Sequence, residues 1–503
     1  MSQRTDSEMW PSTYDVVIVG AGVAGCALAH ALAKSTSSSN HKPLRIALLE
    51  RSLSEPDRIV GELLQPGGVA SLRALGMEDC LEGIDAVPVR GYCVAKGEET
   101  VHIPYNDAAQ GRTFHHGKFI MKLREKARQA PGVDTIEAIV FELIECPFTG
   151  RVLGVKAARK GEEERETFFA DLVVVADGCF SNFRSTVMGE GTVPATKSYF
   201  VGVVLEDATL PIPKHGTVAL VKGHGPVLLY QIGTHETRML VDVKQPFPSD
   251  LKEHILSQIV PQLPAGLHLP IQNALQKDRV RRMPNSFLPS TEQGGRRTKE
   301  GVILLGDSWN MRHPLTGGGM MVAFHDVVLL TRMLSELPDL SNWDSISHIL
   351  HQWYWARKPL ASTVNILSVA LYDLFGADDE YLAVLRTGCF KYFELGGNCI
   401  AGPVSLLSGT AEDPALLFRH FFAVAFYSIW VMLTHPRPVV TPGSDKPVMA
   451  APRLDEYPGL LLKAIAVLHR GLRIVDRSQR DVGRPYSLTF GNSDHNLEDQ
   501  DIQ

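Results

Sequence analysis

The sequence predicts an α/β protein: a Rossmann-type dinucleotide-binding domain, a second domain built on an antiparallel sheet, and a helical C-terminal region that associates with a membrane. Three observations carry that class. A Val/Ile strand runs into a Gly-x-Gly-x-x-Gly turn and an Ala/Leu-rich helix within DVVIVGAGVAGCALAHALAK (15–34). Two further apolar strands end in carboxylates, at Asp177 and Asp307. The last third of the chain reads as helical and holds an uncharged run of 13 residues, FFAVAFYSIWVML (421–433).

Composition sets the limits. With 503 residues and 44% hydrophobic content, the chain can bury a large core, which excludes disorder as its main state. Collagen-like and coiled-coil classes fail on composition, and at about 150 residues per domain the length predicts two to four domains. The balance of 50 Lys+Arg against 56 Asp+Glu, a net charge of -6, gives no whole-chain case for binding nucleic acid. The 7 Cys are scattered and form no C-x-x-C, so neither a zinc site nor a disulfide framework is expected, and a reducing compartment suits them. The N-terminal residues MSQRTDSEMWPSTYD hold no apolar segment of the secretory kind.

Each element can be justified in turn. In the first motif Gly20 permits the tight turn, Gly22 lets a pyrophosphate approach the backbone, and Gly25 allows close helix–strand packing. The helix that follows offers free N–H groups and the positive end of its dipole to phosphates. The next strand ends at Glu50, an acid suited to a ribose hydroxyl pair. A polar loop at 35–43 separates these elements, a helix is expected at 118–129, and 171–176 reads as a buried strand leading to Asp177-Gly178 and Arg184. Between 198 and 245, YFVGVVL, VLLYQIG and RMLVDV alternate as strands of an antiparallel sheet do. A strand at 302–305 delivers Asp307 to where a flavin's ribityl chain would lie. Gly317, Gly318 and Gly319 then let backbone approach a flat ring, and a helix over 319–334 aims its positive end at the ring's N1–C2=O edge.

The tail is read in two pieces. The run at 421–433 is short of the ~20 residues needed to span a bilayer, so it is a core helix or an interfacial one. In YPGLLLKAIAVLHRGLRIV (457–475), Lys463, His469, Arg470 and Arg473 fall within about 120° on a helical wheel. That pattern is a helix packed on a core or a basic amphipathic helix on a membrane surface. Two such elements in one tail favour a monotopic protein. The expected division is a disordered tail at 1–12, a dinucleotide-binding domain from 13–190 and 291–345, a substrate domain at 191–290, a helical membrane-associated region at 346–484 and a disordered tail at 485–503.

In order and rough spacing the three motifs resemble the FAD-dependent monooxygenases of the hydroxybenzoate-hydroxylase type. Longer segments are more specific. ERSLSEPDRIVGELLQPGG (50–68), FHHGKFIMKLR (114–124), GDSWNMRHPLTGGGM (306–320), YWARK (354–358) and HFFAVAFY (420–427) resemble the squalene monooxygenase, or squalene epoxidase, family. The resemblance runs from about residue 14 to 435. One departure stands out: Ser308-Trp309 replaces the family's usual Ala-Phe, and Trp309 is expected near the flavin, where it could reshape the pocket.

The resemblance implies FAD as cofactor, with Val23, Ala24, Glu50, Arg51, Arg58, Leu63, Arg124, Val140, Asp307 and Met320 in contact with it. Gly20, Gly22, Gly25 and Gly319 join that set from the motif reading. Tyr92 and Gln65 match a family pair beside the substrate pocket. The implied reaction is epoxidation of squalene to 2,3-oxidosqualene with O2, through a C4a-hydroperoxyflavin, in sterol or triterpenoid synthesis. Because the cofactor carries that chemistry, His116 and His313 are not needed as general bases. The protein must orient the alkene and exclude water, and an apolar tail over the flavin would do both. No second dinucleotide fingerprint is found, which agrees with the family's use of a separate diflavin NADPH–cytochrome reductase. The implied location is the endoplasmic reticulum membrane, with lipid droplets as a further site. Two alternatives remain: an FAD monooxygenase acting on another isoprenoid or aromatic metabolite, motivated by Trp309, and a flavin-binding regulatory protein without turnover, against which every FAD motif is intact.

Overall fold

A computed structural model describes residues 13–38, 43–277, 280–295, 298–376, 379–439 and 448–481. The tails expected at 1–12 and 485–503 lie outside them. Two large sheets organise the rest. The first is parallel at its centre, in the spatial order Val133–Glu145, Ile46–Glu50, Thr13–Val19, Arg165–Val175, Val302–Leu304. Val16, Val17 and Ile18 are all fully buried, so both faces of this sheet are covered, as a parallel sheet requires. The helices Val23–Ser38, His116–Arg128 and Gly319–Leu334 pack into the same core. Because the strands are parallel, Gly20, Glu50, Asp177 and Asp307 come out side by side at one edge, the carboxyl end where α/β sheets bind ligands.

The second sheet has the order Arg281–Phe287, Ala195–Glu206, Glu236–Val243, Val227–Gln231, Gly216–Ala219, Gly91–Lys96, Glu99–Pro104. It is antiparallel except where Gly216–Ala219 meets Gly91–Lys96. Its last two strands come from the segment that the sequence reading left inside the dinucleotide domain. A lone hairpin cannot bury its own apolar face, and the free edge of Gly216–Ala219 gives it a sheet to join. Strand alternation then builds two cores. Phe200, Leu228, Tyr230 and Leu240 face the C-terminal helices, while Val201, Val203, Leu229 and Val241 face the helix His268–Lys277 and its neighbours.

The C-terminal region comprises the helices Trp343–Phe375, Glu380–Glu394, Asn398–Ser408, Pro414–Thr434 and Tyr457–Asp481. The first is locked to Gly319–Leu334 by a buried ion pair. Arg357 is fully buried and reaches both Asp326 oxygens, at 2.7 and 2.8 Å. Trp309 stacks on Trp353 with ring centroids 4.6 Å apart, and the Arg357 guanidinium lies 4.4 Å from its ring. Its indole N–H donates to the Thr291 carbonyl at 2.8 Å. This corrects the expected place of Trp309: its ring forms part of the packing between domains.

Two expectations about the tail also change. The apolar helix is 21 residues long, starting at Pro414, because Asp413 caps it through the Ala415 N–H at 2.9 Å. Arg419 and His420 sit inside it rather than ending it. At 1.5 Å per residue it is about 30 Å long, enough by length and composition to cross a bilayer. The second helix also offers apolar side chains outward, and one member of its basic strip is taken up by a neighbouring helix. Lys463 turns back to Glu380 of Glu380–Glu394, at 2.6 Å. Leu461, Leu462 and Ile465 are 55%, 71% and 68% exposed. The side chains of Arg470 and Arg473 lie outside the described residues.

Removing one partner of a buried ion pair leaves an uncompensated charge. Asp326→Ala should therefore destabilise the folded protein by about 3–5 kcal/mol, and Asp326→Leu with Arg357→Met should recover most of that. Thermal unfolding of the two variants against the native chain checks it; equal loss in both would show that the pair's charge is irrelevant.

Candidate active site

The first feature of the site is a cradle at the carboxyl edge of the parallel sheet. Gly20 has φ +106°, and a Cβ on it would lie 2.5 Å from the Ala176 carbonyl oxygen. A Cβ on Gly25 would lie 1.9 Å from the Gly20 carbonyl oxygen, so both glycines serve close packing. Gly22 and Gly319 are different: a Cβ on either meets nothing within 4 Å. Both begin or precede a helix of 16 residues, so open space lies before two sets of unpaired helix N–H groups. Glu50 accepts the Ala21 N–H at 2.9 Å and lies 3.6 Å from Arg124. Arg124, buried, donates to the carbonyls of Ala21 and Ser54, both at 2.9 Å. It thereby clamps the turn to the loop after Glu50. Arg184 does the same on the other side, donating to the Ser308, Cys179 and Asp307 carbonyls.

The Asp307 carboxylate accepts no hydrogen bond among the described residues, although Ser308 beside it is fully satisfied by Val175 and Leu305. Asp177 Oδ1 is buried without a partner, and burial raises the pKa of that carboxyl. Ala24 packs under Gly306, and Leu63 under Gly317, where a Cβ would come within 2.7 Å of it. Arg58 is half-buried beside Cys179, at 3.7 Å, and Arg51 is exposed. Val140 is on Val133–Glu145, three residues past the Glu50–Glu137 pairing. Val23 and Met320 stand in the first turns of the two helices. Open backbone at Gly22 and Gly319, with an unclaimed carboxylate at Asp307, fits a flavin dinucleotide.

Beside the cradle lies a cavity of about 40 Å³ that opens to solvent, walled by Tyr92, Val94, Leu315, Thr316, Phe375 and Val404 among others. Its wall is almost wholly apolar. The polar exception is a buried cluster around Gln65, itself fully buried. Gln65 Nε2 donates to the Thr316 carbonyl at 2.8 Å and makes a very short contact with the Tyr92 hydroxyl. Its Oε1 accepts the Tyr105 hydroxyl at 2.6 Å. Burial pushes Tyr92 up to about 12 against the lowering effect of its hydrogen bonds, so the phenol is protonated at neutral pH. Thr316 precedes Gly317, so one turn borders both cradle and cavity.

The fold alone is shared with flavin enzymes of low sequence identity. A probable FAD-dependent monooxygenase from Pseudomonas aeruginosa aligns over 73% of this chain and 97% of its own, with TM-score 0.59 and 18% identity. The p-nitrophenol 4-monooxygenase of Pseudomonas putida aligns over 81% and 99%, with TM-score 0.63 and 15% identity. Residues 169–444 match the family model described as squalene epoxidase. The chain belongs to the squalene epoxidase family. Among curated relatives, the squalene epoxidase of Aspergillus fumigatus is 47% identical over 85% of this chain and 88% of its own length. The mouse squalene monooxygenase is 42% identical over 86% and 75%. Squalene epoxidase 1 of Arabidopsis thaliana is 43% identical over 84% and 79%. FAD is the cofactor of this fold and family.

Placed against this geometry, the residues singled out by sequence separate into groups. Gly20, Gly22, Gly25, Glu50, Arg124, Asp307 and Gly319 meet at the cradle, and Tyr92 and Gln65 meet at the cavity. His116 is buried and neutral: burial, then Arg58, lowers it to about 4, and its Nδ1 donates to the Gly61 carbonyl at 2.8 Å. Tyr105 and Arg312 were missed. Arg312 is buried and donates to Asn365 at 2.7 Å, Asn310 at 2.5 Å and the Gly318 carbonyl at 3.2 Å. Burial, with Arg357 nearby, brings its guanidinium down to about 10. The signal for it was available: an Arg between Asp307 and the three glycines of the same motif.

The two kinds of glycine predict opposite failures. Gly22→Ala should fold with an unchanged apo-protein unfolding temperature yet lose FAD. Gly25→Ala should be destabilised whether FAD is present or not. Asp307→Ala should weaken FAD by about tenfold to a hundredfold, the worth of one charge-assisted hydrogen bond. Flavin absorbance after dilution and gel filtration, with apo-protein thermal melts, separates them; full flavin retention by Asp307→Ala would remove it from the cradle.

Proposed function

We propose that the protein epoxidises squalene. One atom of O2 is inserted across the 2,3 double bond, giving 2,3-oxidosqualene, and the other leaves as water with two electrons drawn from NADPH. The observation that carries this reading is the apolar cavity that shares the Leu315–Thr316 turn with the glycines of the FAD cradle. A hydrocarbon of this kind offers no polar handle, so the wall must position it by shape. FAD, when bound, supplies the activation of oxygen. Gly20, Gly22, Glu50, Asp307 and Gly319 would hold it, with the positive end of Gly319–Leu334 and the buried Arg312 on one side of the glycine turn. Tyr92 supplies a ring face to the cavity while Gln65 occupies its hydroxyl, so no ionised group confronts the alkene. The apolar wall keeps water from the reacting centre. The position of Trp309 against Trp353 removes the motive for a different substrate.

Electrons come from a separate diflavin reductase, because one Rossmann crevice takes one dinucleotide. The site of action is the endoplasmic reticulum membrane. Phe426, Trp430, Leu461, Leu462 and Ile465 are 50% or more exposed on two neighbouring helices, a concentration of apolar surface that supports contact with lipid. Pro414–Thr434 lies along the protein with Ala425 and Val431 buried, which favours a monotopic placement.

Full-length protein incubated with squalene, detergent, NADPH and a diflavin reductase should yield 2,3-oxidosqualene by mass spectrometry; absence of a product one oxygen heavier than squalene would sink the reading. NADPH alone should bleach the flavin slowly in anaerobic stopped flow, with acceleration by orders of magnitude on adding reductase.

Charge on the lipid-facing surface gives a separate test. Leu462→Glu with Ile465→Glu should reduce flotation with phospholipid vesicles while flavin content stays intact. Undiminished flotation would place the membrane contact elsewhere.

A further inference from the structure

Behind the cavity wall lies a second buried polar cluster that the reaction as described does not use. Asp242, on Glu236–Val243, is 3% exposed in a strand that is otherwise apolar along its inner half. Its Oδ1 accepts the Ser198 hydroxyl in a very short hydrogen bond and Asn285 Nδ2 at 3.0 Å. His313 approaches the same oxygen: Nε2 is 3.5 Å from Asp242 Oδ1 and 3.4 Å from Ser198 Oγ. On its other side, His313 Nδ1 accepts the Leu315 N–H at 3.2 Å. A backbone N–H can only donate, so Nδ1 carries no proton and Nε2 carries it, toward Asp242. The imidazole is held flat against Tyr372, with ring centroids 4.3 Å apart.

What this histidine caps is the turn Pro314–Thr316. The Thr316 carbonyl takes the Gln65 hydrogen bond, and Gln65 fixes Tyr92. A line of polar contacts thus runs from an acid in the substrate sheet, directly and through Ser198 to His313, then through the turn beside the glycines to the phenol in the cavity wall. We propose that Asp242 and His313 are a positioning pair: Asp242 selects the His313 tautomer, His313 sets the Leu315–Thr316 turn, and the turn sets Gln65 and Tyr92 against the alkene. The proposal rests on the cavity being the substrate site. Neither residue touches substrate. Ser198 and Asn285 come from two further strands of the same sheet, so the pair also ties the attitude of the substrate sheet to the turn.

The tautomer argument gives variants with opposite expectations. Asn at 313 places an oxygen where Nδ1 stands, so His313→Asn keeps the acceptor for the Leu315 N–H without needing Asp242. His313→Leu removes it. Asp242→Asn keeps an oxygen for the Ser198 hydroxyl and Asn285 but removes the negative charge that favours a proton on Nε2, so the tautomer that accepts the Leu315 N–H loses its bias. The FAD-loaded full-length chain is assayed with squalene, NADPH and a diflavin reductase for bound flavin, for product per NADPH consumed, and for peroxide. Asp242→Asn and His313→Leu should lower product per NADPH by about tenfold or more, the cost of a buried N–H losing its acceptor, with peroxide making up the difference and flavin content unchanged. His313→Asn should retain most of the coupling, and Asp242→Asn added to it should change nothing further. Equal losses from His313→Asn and His313→Leu, an undiminished effect of Asp242→Asn in the His313→Asn background, or losses that follow flavin content would overturn the pair. Tyr92→Ala separates the two readings. If it stays fully coupled, the cavity is not the substrate site; if it uncouples while Asp242→Asn does not, the positioning pair alone is wrong.

Discussion

The hydrogen bond from Gln65 to the Thr316 carbonyl is the joint on which the two halves of the molecule depend. Gln65 follows the short strand Leu63–Leu64, Thr316 belongs to the turn before the glycines, and the phenols come from the other sheet, at Tyr92, and from Tyr105 just past its edge strand. A fully buried carboxamide must have every partner in place, because an unpaired donor or acceptor there costs about 1–3 kcal/mol. Three segments are therefore held in one geometry by one side chain. The cradle and the cavity could each form alone; their registration with one another is what this amide secures.

Much of the molecule was legible in the sequence because it is local. The turn at Gly20–Gly25, the strand ending at Asp307 and the helix Gly319–Leu334 are each specified by residues within a few positions of one another. Period-2 alternation disclosed the second sheet, although the Gly91–Lys96 hairpin joins it across a long gap in the chain. What stayed hidden are contacts between distant residues. Gln65 and Thr316 are 251 positions apart, and no spacing rule encodes their meeting. Tyr105 beside Gln65 shows the same limit. Asp242 left a trace, as a single acid in RMLVDV, but its partners Ser198, Asn285 and His313 come from three other places.

The corrections share a physical cause. A helical wheel tells which residues share a face and is silent on what the face meets. Lys463 lies on the polar side of its helix and finds Glu380, 83 positions earlier, which leaves the leucines outward. Trp309 follows the Asp307 motif directly, yet its ring turns to Trp353 and Arg357, because a large aromatic beside a buried guanidinium is best satisfied by covering it.

Arg312 and Arg357 share one neighbourhood, and among the described residues only Arg357 of the two is hydrogen-bonded to a carboxylate, that of Asp326. The folded chain thus holds the Arg312 guanidinium beneath the glycine turn, on the Gly318 carbonyl before Gly319–Leu334, whether or not anything is bound. A group that brings negative character to that spot meets a cation already fixed in place. Occupancy and stability are then linked quantities: unfolding must wait for release, and each tenfold rise in free ligand above its dissociation constant adds about 1.4 kcal/mol. In a cell the supply of that ligand becomes a determinant of how long the polypeptide survives.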